Sequence, residues 1–89
     1  MTKVEYLGRN EFGQFTNYLF RKGKNIVEIT YDYASKDYEV AVGTKLYQNK
    51  YTQMWTLENP KKKKFFDYKM KAWRYAQKLL GVRKLDKIA

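Results

Sequence analysis

Two-residue alternation in the middle of the chain limits its fold more than any other feature. Val27, Ile29, Tyr31 and Tyr33 alternate with Glu28, Thr30 and Asp32. Successive side chains of a strand point to opposite faces, so this pattern predicts a strand with one buried side. Ala34-Ser35-Lys36-Asp37 supplies turn residues, and Tyr38, Val40 and Val42 return on one face, which completes a β-hairpin. Residues 51–57 alternate again after a Gln48-Asn49-Lys50 turn and are read as a third strand. The three make an antiparallel meander.

A different period follows. Asn59-Pro60 resembles a helix N-cap with proline at the first helical position, and Gly81 stands where a C-terminal glycine belongs. The expected helix covers residues 60–80. At 100° per residue, Phe65, Phe66, Tyr68, Ala72, Trp73, Ala76, Leu79 and Leu80 share one side, while Lys71, Arg74 and Lys78 gather opposite. Residues 10–22 admit two readings. Phe12, Phe15, Tyr18 and Leu19 have helical spacing, yet Gly13 and Asn17 weaken a helix, and residues 15–20 suit a strand that turns back at Lys22-Gly23-Lys24-Asn25. The spacing tips the choice to a short helix. The expected fold is therefore α+β: a small antiparallel sheet of about three strands, packed by a C-terminal helix and accompanied by a short N-terminal one.

With 89 residues, residues 1–89 form one domain, and the tail 82–89 is expected to be mobile. Hydrophobic residues make up 44% of the chain and aromatic ones 18%, which argues for a folded protein. There is no apolar run of about 18 residues and no apolar core of a signal peptide near Met1, so the expected location is cytoplasmic, away from membranes. Cysteine and histidine are both absent. That removes disulfides, thiolate metal sites, the commonest transition-metal ligand and the side chain best suited to acid–base work near neutral pH. Ser35 is the only serine and has no base to activate it, and the five glycines form no phosphate loop or dinucleotide fingerprint. The expectation is a non-enzyme without cofactor or metal.

Charge supplies the positive signal. Residues 1–44 carry six basic and six acidic side chains, whereas from Lys45 onward thirteen basic residues stand against Glu58, Asp67 and Asp86, so the formal net charge of +10 belongs to the second part. Such asymmetry points to an anionic partner or to a solubilising surface. Lys61, Lys62, Lys63 and Lys64 would lie at the start of the expected helix, where the dipole already repels cations, so a bound phosphate would relieve them. Lys71, Arg74 and Lys78 would continue the stripe along the helix, and Arg83 and Lys84 would extend it. Solvated charge explains the same residues without a ligand. The tyrosines at 31, 33, 38, 47 and 51 suggest stacking surfaces, but Glu28, Asp32 and Glu39 between them oppose a phosphate chain, and the core needs many aromatics.

The leading expectation is a small nucleic-acid-binding protein, for DNA or RNA, that contacts phosphates through its C-terminal helix. The alternative is a phage- or plasmid-type interaction or inhibitor protein that uses its cations on an acidic surface of a host protein or a nucleic-acid-handling enzyme. A homodimer is compatible with so small a sheet, which leaves an edge and a face to cover.

Overall fold

The computed structural model describes residues 3–85. Seven strands and one helix follow in the order β1 (Glu5–Phe12), β2 (Phe15–Lys22), β3 (Asn25–Asp32), β4 (Asp37–Gly43), β5 (Lys45–Gln48), β6 (Trp55–Glu58), β7 (Lys62–Phe66) and α1 (Lys69–Leu80). Five strands form one antiparallel sheet in the order β1-β2-β3-β4-β7, and β5 and β6 make a separate hairpin. The α+β class, the antiparallel sheet with its β3–β4 hairpin and the C-terminal helix agree with the sequence reading. The strands differ from the expectation in three places.

The first concerns residues 10–22, which are β1, a turn and β2 instead of a helix. Gly13, at φ 57°, opens the two-residue loop between the paired Phe12 and Phe15. Its missing Cβ makes that conformation cheap and ends any helical reading there. The apparent helical spacing arises because β2 is covered on both sides. Tyr18 and Phe20 face α1, while Asn17 and Leu19 face the β5–β6 side, so apolar residues occur at both parities.

The second is the start of the helix. Residues 62–66 are not helical: β7 pairs with β4, with Lys62 opposite Val42, Lys64 opposite Val40 and Phe66 opposite Tyr38. The Lys61 N–H also donates to the Val42 carbonyl at 2.8 Å. Pairing satisfies the outer edge of β4, whose backbone groups would otherwise be unpaired. Asn59 takes φ 48° and turns the chain into this strand, so Asn59-Pro60 marks a turn, not a cap. The helix begins only at Lys69, behind an extended Tyr68 that makes no side-chain cap. Its other end is as expected: Gly81, at φ 66°, donates its N–H to the carbonyls of the last turn.

The third is the segment read as strand 51–57. Only Trp55–Glu58 is a strand, and it pairs with β5 instead of joining the main sheet. Asn49 makes the expected turn by accepting the N–H groups of Tyr51 and Thr52. This hairpin lies on the sheet face away from α1. The Leu57 N–H donates to Glu28 Oε2 at 3.1 Å, and Asn10 Nδ2 donates to the Trp55 carbonyl at 3.1 Å.

The main core lies between α1 and the sheet. Phe20, Val27, Ile29 and Val40 meet Ala72, Trp73, Ala76 and Leu80, with Leu85 completing the cluster after the helix has ended. Ala72 and Ala76 have no exposed surface, which lets α1 approach the sheet closely. Leu85 is buried, so the tail is held as far as that residue; residues 86–89 of the segment read as mobile lie outside the described residues. No helix among the described residues is long and apolar enough to cross a membrane.

Candidate nucleic-acid interface

Lys61–Lys64 do not act together at a helix start. Lys62 and Lys64 share one face of β7 and Lys63 the other, because side chains alternate along a strand. Lys64 Nζ lies 5.5 Å from the Phe66 ring centre and 5.2 Å from that of Tyr75, on the helix side. Lys63 stands on the opposite face, 3.9 Å from Glu39. Lys61 precedes the strand. Cations along an outer strand also discourage pairing with a further chain, which accounts for part of this run without a ligand.

The helix keeps its expected polarity. Ala72, Trp73, Ala76 and Leu80 are buried, and Lys71, Arg74 and Lys78 are exposed. Lys71 is partly engaged, at 3.4 Å from Asp67 and 5.0 Å from the centre of the Tyr68 ring. That ion pair is solvent-exposed on both sides and contributes little to stability. Lys78 lies in the last turn, where the helix dipole favours a cation. Arg83 and Lys84 follow the helix and are exposed.

The structure brings one subset of these residues together with others that the sequence reading did not select. A groove of about 370 Å³ beside the first half of α1 is lined by Lys69, Arg74, Gln77 and Lys84 above the apolar side chains of Met70, Trp73 and Leu85. Three cations line it, and no carboxylate does among the described residues. Burial of Leu85 is what folds Lys84 back onto the helix. Met70 stands between two lysines and is 64% exposed. Trp73 packs edge-on against Tyr18 with 5.3 Å between ring centres, and Lys69 Nζ lies 5.5 Å from its ring. The indole Nε1 is buried and donates to no partner among the described residues.

Across the β7–α1 junction, a more open cleft of about 500 Å³ is bordered by Lys64, Phe65, Phe66 and Lys71, but also by Asp37 and Asp67. Phe65 and the nearby Tyr68 are exposed, although both fall on the apolar side of the helix expected from the sequence. Phe65 falls on the face away from α1 because residue 65 belongs to a strand, and Tyr68 stands just outside the helix.

No family model, curated protein or solved structure matches the chain.

The face away from α1 has the opposite character. A cleft of about 100 Å³ is lined by Asp32, Asp37 and Glu39 with Phe15 and Phe65 at its walls. Some desolvation acts on Asp32, but the N–H groups of Ala34 and Ser35 and the Gln14 amide together hold its carboxyl below the usual range, so it stays ionised. On the α1 side of the sheet, Tyr31 meets Tyr33 edge-on at 4.9 Å and Tyr38 in a tilted contact at 4.6 Å, instead of forming an open platform. Burial pushes the Tyr38 hydroxyl up. These tyrosines serve the fold.

Proposed function

We propose that the chain is a non-catalytic nucleic-acid-binding protein, for DNA or RNA, whose phosphate contacts are made by α1 and the segment after it. The observation that carries this reading is the groove in which Lys69, Arg74 and Lys84 converge with no acid among the residues that line it. Three cations around one depression, with no acid among the described residues that line it, repel each other, and an anionic ligand removes that repulsion. Lys78 and Arg83 extend the positive surface beyond the groove. A phosphate chain is an anion of the right extent for this layout, since its charges repeat along its length as the cations do along the helix.

Five phosphate contacts, through Lys69, Arg74, Lys78, Arg83 and Lys84, predict a log–log salt slope of about −3.5 on a single strand and about −4.5 on a duplex. The test is fluorescence anisotropy of labelled DNA and RNA with nuclease-treated protein between ~50 and ~200 mM salt, where a slope of −3.5 corresponds to a roughly 100-fold loss. Replacing Lys69, Arg74 and Lys84 together by alanine is expected to flatten the single-strand slope by about 2. Salt-independent binding, or no binding at the lowest salt, refutes the reading.

A second reading, an interaction protein, is supported by the acidic, aromatic-walled cleft of Asp32, Asp37 and Glu39, which would take a basic partner and not the acidic host surface expected from the sequence. That cleft suits a basic peptide and repels phosphate. The readings separate on which face loses binding when neutralised.

A further inference from the structure

We infer that the ligand is single-stranded, with an unstacked base seated on the apolar floor between the cations of the α1 groove. This rests on the nucleic-acid reading above and narrows it to one class of polymer. Cations alone would not discriminate, because single and double strands both present phosphates. The floor does.

Met70, Trp73 and Leu85 form an apolar surface within the same depression that holds Lys69, Arg74 and Lys84. A duplex keeps its bases paired and stacked inside, and offers such a floor only sugar and phosphate. A single strand can turn a base outward, leave it on the Met70 and Trp73 surface and keep the flanking phosphates on the cations. Base stacking on aromatic and apolar side chains tolerates any sequence and is how single-strand binders combine affinity with low specificity.

Met70, 64% exposed, supplies most of the floor that solvent reaches, while Trp73 and Leu85, 8% and 5% exposed, back it from below.

The experiment uses the full chain and three labelled probes of equal length: a mixed-sequence single strand, the same strand with its central nucleotides abasic, and its duplex. The single strand is expected to bind at least 5-fold more tightly than either other probe at ~100 mM salt, the lower end of what one stacked base contributes. Met70→Ala, at an exposed position, is expected to fold normally and to erase most of that preference without changing the salt slope. In a Trp55→Phe background, where Trp73 is the remaining indole, the single strand is expected to quench tryptophan emission and the abasic strand to quench it much less. Equal affinity for all three probes, or a Met70→Ala protein that retains the full preference, overturns the inference while leaving the nucleic-acid reading in place. Failure of all three probes to bind at ~50 mM salt overturns both.

Discussion

Replacing Glu28 by glutamine should stabilise the protein at neutral pH. Glu28 lies beneath the β5–β6 hairpin, where its Oε2 accepts the Leu57 N–H at 3.1 Å. Burial pushes its carboxyl above the usual range, and Glu39 adds to the shift; the Leu57 N–H, the neighbouring Asn17 amide and Lys63 oppose it without cancelling it. Asn17, 1% exposed, donates Nδ2 to Thr30 Oγ1 at 3.0 Å while its Oδ1 has no partner among the described residues. A glutamine keeps an acceptor for Leu57, removes the desolvated charge and brings an N–H₂ group that Asn17 Oδ1 lacks. One buried acceptor newly satisfied is worth about 1 kcal/mol, and for a domain of this size that raises Tm by about 4–8 °C. The pH dependence has a definite sign. Because the folded-state value lies above the unfolded one, the stability contributed by the protonated carboxyl is fully present below the unfolded value and is lost as pH rises through the folded value. Thermal unfolding followed by circular dichroism should therefore show a small gap between Glu28→Gln and the parent near pH 4 that widens toward pH 7. Glu28→Ala, which leaves the Leu57 N–H unpaired, should instead lose about 1–3 kcal/mol. A Glu28→Gln protein that is less stable than the parent at pH 7, or a gap that does not change with pH, refutes the reasoning.

Three other substitutions test the fold that carries the groove. Gly81→Ala meets only the end of the flexible Lys22 side chain, 4.0 Å away, but forces φ 66° on an L side chain, and should cost about 1–2 kcal/mol in denaturant unfolding. Leu85→Ala should cost about 2 kcal/mol or more, the low end of the range for buried leucine, and should weaken oligonucleotide binding because Lys84 is no longer held against α1. Ala76→Leu, at a position with no exposed surface, should push α1 off the sheet and cost about 1–3 kcal/mol, read from the midpoint of urea unfolding.

The parts of the fold legible in the sequence are those in which one local pattern had one cause. The hairpin of β3 and β4 alternates cleanly because one of its faces is dominated by apolar residues, and its turn is fixed by Asp32 bonding to the N–H groups of Ala34 and Ser35. The end of α1 at Gly81 was equally plain. Misreadings came where tertiary pairing decided the matter. Residues 62–66 carry no strong local preference, and it is the free edge of β4 that draws them into a strand, so their phase relative to α1 changes and Phe65 and Tyr68 become exposed. β2 looked helical because the β5–β6 hairpin covers the side that a simpler sheet would leave to water. For the site, Arg74 and Lys84 were selected on charge and do meet, but Lys69, Met70 and Trp73 were not, since Trp73 reads as core and Met70 as an ordinary helix residue. The available signal was a large apolar side chain between two lysines at the true start of the helix. Leu85, by folding the tail back, makes the groove, and nothing local in the sequence announces a contact of that kind.

The most direct test of the central claim is a two-dimensional ¹H–¹⁵N correlation experiment in which an unlabelled single-stranded oligonucleotide is titrated into ¹⁵N-labelled protein. Trp55 and Trp73 are the only two tryptophans, so two indole signals report separately on the β5–β6 hairpin and on the groove. The account predicts progressive shifts of the Trp73 indole and of the backbone amides of residues 69–74 and 83–85, while the Trp55 indole and the amides of β3 stay in place. Shifts centred on the Asp32, Asp37 and Glu39 cleft, or a spectrum unchanged by the oligonucleotide, would contradict it.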